Sequence, residues 1–263
     1  MRALTRLSVA AVLLGLSGCA ADPPGDMARE MPPVRVPAGY DAAVATPLIV
    51  LLHGYSFNGE GQDAYFGLSD LVDDYGFLMV APDGTRENGP DENRFWNAST
   101  SCCNFFESEV DDSAYVAEII DSIKSQYNVD DARVYLVGHS NGGFMSYRMA
   151  HDHSGTIAAI ASLAGADQSA GRPAPANPVH VLQIHGDADT VISYDGGIFN
   201  GGPPHPGARE GIEAWAAHNG CAVSGVDAGI LDLDSGLDGA ETVVTRYANG
   251  CRPGGSAELW TIN

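Results

Sequence analysis

The segment Val134-Tyr135-Leu136-Val137-Gly138-His139-Ser140-Asn141-Gly142 constrains the fold more than any other. A buried apolar run passes straight into a serine with glycine two residues to either side, and a helical pattern begins at once. Turning from strand to helix in so few residues strains the serine backbone, and side chains at 138 or 142 would collide in the turn. The same turn lifts the hydroxyl above a sheet edge at a helix N-terminus, where peptide dipoles favour developing negative charge. Ser140 is therefore the expected nucleophile and the Asn141 amide one expected donor to an oxyanion.

Around that turn the chain alternates. Apolar runs at residues 48–52, 77–81, 134–137, 157–163, 179–184, 241–247 and 258–262 read as strands, several closed by turn residues such as His53-Gly54 and Asp83-Gly84. Val116, Ile119, Ile120 and Ile123 form the apolar stripe of a helix over residues 110–127. A second helix follows Ser140, and a third spans residues 208–218, ending at His218 before Asn219-Gly220. This alternation predicts an α/β fold, a mostly parallel central sheet with helices on both faces, whose ligands bind beyond the carboxyl ends of the strands. A chain of 263 residues builds one well-buried domain without a metal or disulfide framework. Asp232, Asp234 and Asp238 are spaced as in calcium loops, but the sixth-position glycine and closing glutamate are missing. A hairpin turn ahead of residue 241 is expected there, and no metal site is assigned.

Arg2 and Arg6, an apolar run at residues 7–16 and then Leu16-Ser17-Gly18-Cys19 predict an export signal over residues 1–18, with Cys19 as the lipidated residue. The run is shorter than the ~20 residues a membrane-crossing helix needs. Residues 19–39, with Pro23, Pro24, Pro32, Pro33 and Pro37, are the expected tether, leaving residues 40–263 as the catalytic domain. The expected location is a bacterial membrane, held through the lipid alone, or the exterior if Cys19 is not modified. Export puts the other cysteines in an oxidising compartment; Cys221 with Cys251 is the favoured pair, with Cys102 and Cys103 a vicinal bridge or free thiols. Thirteen Lys and Arg against 34 Asp and Glu, a formal net charge of −21, leave no basic face for nucleic acid.

An oxyanion needs a second amide from the loop after an earlier strand, and Leu52-His53-Gly54-Tyr55-Ser56 supplies Tyr55, with Ser56 as the alternative. The carboxylate that orients a base belongs at a later strand end. Ile184-His185-Gly186-Asp187-Ala188-Asp189 offers two; Asp189, further into the loop, is assigned, and Asp187 is expected to form a turn through local backbone bonds. The base has no good candidate. Only His205 and His218 follow Asp189: His218 falls at a helix C-terminus, and His205, between Pro204 and Pro206, has only loop mobility to recommend it. His139 and His185 are expected to pack, as is Trp215, while Trp96 is a candidate for lining an acyl or sugar site.

Taken together, Leu52-His53-Gly54, Trp96-Asn97 with Cys102-Cys103, Val110-Asp111-Asp112, the Ser140 turn, Ile184-His185-Gly186 with Asp189, and the segment from Trp215 to Cys221 resemble the polyhydroxybutyrate depolymerase and feruloyl esterase branch of the α/β-hydrolases over residues 36–263. The resemblance implies a cofactor-independent serine esterase with Ser140 as nucleophile, Asp189 as triad acid, and Tyr55 or Ser56 together with Asn141 at the oxyanion. The substrates it implies are a polyhydroxyalkanoate, or feruloyl or acetyl esters of plant polysaccharide. In that family a strand like residues 258–262 leads into a glycine-rich loop bearing the catalytic histidine. With Asn263 the last residue given, the histidine loop and final helix are expected beyond it, and the chain as given is expected to be at best weakly active. The rival class is a non-catalytic surface lipoprotein that binds a polymer or partner on a hydrolase scaffold.

Overall fold

A computed structural model describes residues 29–168 and 171–263; the expected export signal and Cys19 lie outside the described residues. In chain order the elements are β1 (Thr46–Leu52), α1 (Gly59–Phe66), α2 (Val72–Tyr75), β2 (Leu78–Val80), β3 (Thr85–Arg86), β4 (Arg94–Phe95), α3 (Asp112–Gln126), β5 (Val129–His139) and α4 (Asn141–Asp152). Then come β6 (Ala159–Leu163), β7 (His180–Gly186), β8 (Gly197–Ile198), β9 (Pro204–His205), α5 (Ala208–His218), β10 (Val226–Leu231), β11 (Thr242–Tyr247) and β12 (Ser256–Ile262).

Eight strands make one sheet in the order β10-β11-β12-β7-β6-β5-β1-β2. From β12 to β2 every neighbour is parallel, and β11 and β10 close one edge antiparallel. The mostly parallel sheet expected from the alternation is present. Strand β10 was not anticipated: all six of its residues are exposed, and the alternation of Val226, Ala228 and Ile230 covers no core. Residues 232–241 connect β10 to β11 as the hairpin foreseen for the aspartate-rich run, with Asp234 Oδ1 accepting the Gly236 amide at 2.8 Å.

The two faces of the sheet are unequal. On one, Leu48, Val50 and Leu52 of β1 belong to the large core with Val116, Ile120 and Ile123 of α3, Phe144, Met145 and Met149 of α4, and Trp215 of α5. On the other, Leu51 and Met79 form a thin layer with Val72 and Phe77 near α1 and α2. Strand alternation turns Leu182 and Ile184 of β7 and Trp260 and Ile262 of β12 toward that second side, where they are only half-buried.

Residues 29–40, mostly assigned to a tether on composition, are bonded to the body. Arg35 exchanges backbone hydrogen bonds with Met79 at 2.8 and 3.0 Å, and the Tyr40 hydroxyl accepts the Asn128 amide at 2.8 Å. Arg29 Nη1 donates to Asp112 Oδ1 at 2.6 Å, its guanidinium 3.5 Å from the centre of the Tyr115 ring. Asp112 is wholly buried, and its carboxylate also accepts from Thr85 Oγ1 and the Asn97 amide. Cys221 is bonded to Cys251, tying the end of α5 to the segment before β12, and Cys102 is bonded to Cys103 in the loop after β4.

Replacing Ile120 by alanine removes a fully buried side chain under the sheet and should cost about 2–5 kcal/mol in urea unfolding, whereas Ile230→Ala on exposed β10 should cost less than about 0.5 kcal/mol.

Candidate active site

Ser140 occupies the turn between β5 and α4 at φ 51° and ψ −117°, a region a non-glycine residue enters only when its surroundings force it. The glycines around it are forced by contact. A Cβ at Gly138 would lie 2.1 Å from the Gly142 carbonyl oxygen, and one at Gly142 would lie 2.1 Å from the Leu52 carbonyl oxygen. Helix α4 thus starts with its backbone pressed on β1, and the Ser140 amide donates to Leu163 O of β6 at 2.8 Å.

The loop after β1 lies against this turn: a Cβ on Gly54 would be 3.5 Å from Ser140 Cβ. Sequence left two amides open here, and hydrogen bonding separates them. The Ser56 amide donates to Arg94 O at 2.8 Å, whereas Tyr55 N and Asn141 N have no acceptor among the described residues. The loop is held from three directions. Gln62 Oε1 accepts the Gly54 amide at 3.1 Å, and the Trp96 indole donates to His53 O at 3.0 Å. His53 Nε2 accepts the Gly84 amide at 2.8 Å, so its Nδ1–H donates to Gly54 O at 2.7 Å.

Sequence reasoning did not find the link between this loop and α4. The Asn141 side chain takes both backbone groups of Trp96, its Oδ1 accepting Trp96 N at 2.6 Å and its Nδ2 donating to Trp96 O at 3.0 Å. Trp96 is fully buried and lines no open site. No spacing signal marks a pair 45 residues apart.

Asp189 follows β7, two strands from Ser140 and so roughly 10 Å across the sheet. It makes the local bonds expected of Asp187: its Oδ1 accepts the Val191 and Ile192 amides at 2.8 and 3.0 Å, while the Asp187 amide donates to Ile262 O at 2.9 Å. Its Oδ2 stands 3.4 Å from His185 Nε2, which donates to Ile192 O at 2.7 Å. His185 Nδ1 accepts from Gln183, leaving the ring buried, with burial lowering its pKa. His139 packs by Tyr65 and Phe66; burial lowers its pKa and the Asp189 charge opposes that. His205 is a buried residue of β9 rather than part of a mobile loop, packed on Phe144 with its Nδ1–H donated to Pro206 O. His218 lies at the C-terminus of α5 beside Asn177 O, as its position implied. Among the described residues, no histidine hydrogen-bonds the Ser140 hydroxyl.

Beyond Tyr55 an aromatic row extends from the loop: Tyr55 and Phe105 rings are 5.0 Å apart, and Phe105 and Phe199 rings 6.0 Å apart. The Tyr55 hydroxyl donates to Glu87 Oε2 at 2.7 Å, and burial together with that carboxylate pushes its pKa up to about 12. The tyrosine is therefore a neutral anchor for the row.

The sheet order, the crossover helices and the serine turn between β5 and α4 define an α/β-hydrolase fold. The same fold is seen in acetyl xylan esterase from Aspergillus awamori, with a TM-score of 0.58 over 87% of this chain and 85% of that one at 17% identity. The chain belongs to the chlorophyllase family, whose model matches residues 31–185. It is similar to feruloyl esterase B of Piromyces equi, 30% identical over 201 residues, and to the bifunctional acetylxylan esterase/xylanase XynS20E of Neocallimastix patriciarum, 30% identical over 161 residues. These matches cover 72% and 61% of this chain, but only 35% and 22% of the relatives' own lengths.

Burial pulls the His53 pKa down to about 4, below its unfolded value of 6.5. Between those values the unfolded chain binds the proton more readily, so stability falls as pH drops from 6.5 toward 4, by up to about 3 kcal/mol. NMR titration of the His53 imidazole should give a midpoint near 4 with Nδ1 carrying the proton above it; a midpoint near 6.5 would contradict the hydrogen-bonding described.

Proposed function

We propose that this protein is an exported serine esterase that hydrolyses carboxylic esters, anchored through Cys19. One observation carries the reading: the Ser140 hydroxyl stands in a strained turn at the start of α4, beside the unengaged amides of Tyr55 and Asn141. Ser140 Oγ attacks the ester carbonyl, and the two amides receive the oxyanion, each such donor contributing about 3–4 kcal/mol to the transition state. A histidine oriented by Asp189 takes the serine proton, returns it to the departing alcohol, and then activates the water that releases the acid. That imidazole bridges the roughly 10 Å between Ser140 and Asp189 across β6. No cofactor enters the scheme.

The names of the relatives support feruloyl or acetyl esters of plant polysaccharide as substrates. The row of Tyr55, Phe105 and Phe199 beside the oxyanion loop favours a flat aromatic acyl group over a polyhydroxyalkanoate chain.

A fluorophosphonate probe applied to the protein expressed from its full reading frame should label Ser140, and Ser140→Ala should lower kcat/KM for p-nitrophenyl acetate by about 10³-fold or more. Equal turnover by both proteins would favour the rival reading, a polymer-binding lipoprotein. Phe105→Ala should raise KM for methyl ferulate roughly tenfold while changing that for p-nitrophenyl acetate little, measured by steady-state kinetics.

A further inference from the structure

Two loops near the carboxyl edge, residues 97–108 after β4 and the segment after β6 carrying Gln168 and Arg172, flank an open cavity of about 500 Å³. Its wall is built from hydrogen-bonding groups: Ser99, Thr100, Asn104, Gln168 and the guanidinium groups of Arg148 and Arg172. Arg148 projects from α4 eight residues after Ser140, so this wall lies about 12 Å along the helix from the serine turn.

The two arginines are in different electrostatic states. Arg148 is neutralised by Asp111 and Asp152, at 2.8 and 3.1 Å, and also donates to Asn97 O. Arg172 Nη2 donates to Ala98 O and, at 3.4 Å, to Gln168 Oε1; its Nε and Nη1 have no acceptor among the described residues, and no carboxylate lies within ion-pair distance. Among the described residues, a half-buried guanidinium with no carboxylate in direct contact is the exception in a chain with 34 acidic residues. Desolvation lowers its pKa, and the Asp167 and Asp152 charges oppose that only from beyond ion-pair distance. The free donor edge has the fork geometry that takes a carboxylate by two parallel hydrogen bonds. Hydroxyl and amide side chains around it match a hydroxyl-rich ligand, and the exposed Glu107 on the same wall disfavours a polyanion.

We infer that this cavity is a subsite for an acidic saccharide, a hydroxyl-rich chain whose single carboxylate is held by Arg172 while its ester reaches Ser140. The inference rests on the esterase reading for its link to turnover; binding at the cavity does not require Ser140.

Calorimetry on the Ser140→Ala protein would compare three probes: a xylo-oligosaccharide carrying one glucuronic acid, the same oligosaccharide with that carboxyl reduced to an alcohol, and free glucuronate. The acidic oligosaccharide should bind at least about tenfold tighter than its reduced form and tighter than free glucuronate, and Arg172→Gln should erase the first difference. Equal affinity for the acidic and reduced forms, or a preference that survives Arg172→Gln, overturns the assignment. Free glucuronate binding as tightly as the oligosaccharide overturns its saccharide part. Should Arg172→Gln fail to fold, the comparison of acidic with reduced ligand still decides, since it needs no variant at position 172. Absence of p-nitrophenyl acetate turnover by the unsubstituted protein, or equal turnover by Ser140→Ala, sinks the esterase reading alone, because the calorimetry uses a protein without the serine hydroxyl.

Discussion

The first turn of α4 lies against the backbone at the end of β1 with no side chain between, and the rest of the site depends on that contact. Gly142 touches Leu52 O, and Gly138 touches the Gly142 carbonyl, so the helix cannot be drawn back by even a methyl group without losing its seat. The contact forces Ser140 to positive φ, a strain of about 1–3 kcal/mol that only a well-packed surrounding sustains. The buried side of α4, from Phe144 to Ala150, provides that packing.

Closeness alone does not aim an amide. The loop carrying Tyr55 is fixed by polar ties on buried groups: the Trp96 indole on His53 O, the His53 ring between Gly84 and Gly54, and the Asn141 amide on both backbone groups of Trp96. Each group would carry a desolvation penalty if left unpaired, so the ties stand or fall together. Hence Asn141 has two parts in the structure: its backbone amide opens α4 with no acceptor among the described residues, while its side chain holds the segment that braces the loop carrying Tyr55.

Much of this was legible from local pattern. The strand–serine–helix turn, the helices at 110–127 and 208–218, and the parallel core all follow from periodicity and turn chemistry over short windows. What escaped was non-local or turned to solvent. Strand β10 is exposed along its whole length, and the partners of Asn141, Arg29 and Arg172 lie 45, 83 and 74 residues away, a range over which a single sequence records no pairing. Choosing between Tyr55 and Ser56 needed one further fact, that Arg94 O already occupies the Ser56 amide. The local bonds of Asp189 have the same origin: a loop with two aspartates two residues apart does not announce which one accepts the amides that follow it.

Arg29 gives the start of the domain a physical definition. Its guanidinium answers a carboxylate with no access to water, and the other oxygen of that carboxylate holds the amide of Asn97, next in the chain to Trp96. A truncation that begins at residue 40, where composition alone would trim the chain, strands the Asp112 charge beneath the loops around Ser140 and unfastens their brace from below. Residues 29–40 and the loops around Ser140 are in this sense one mechanical unit.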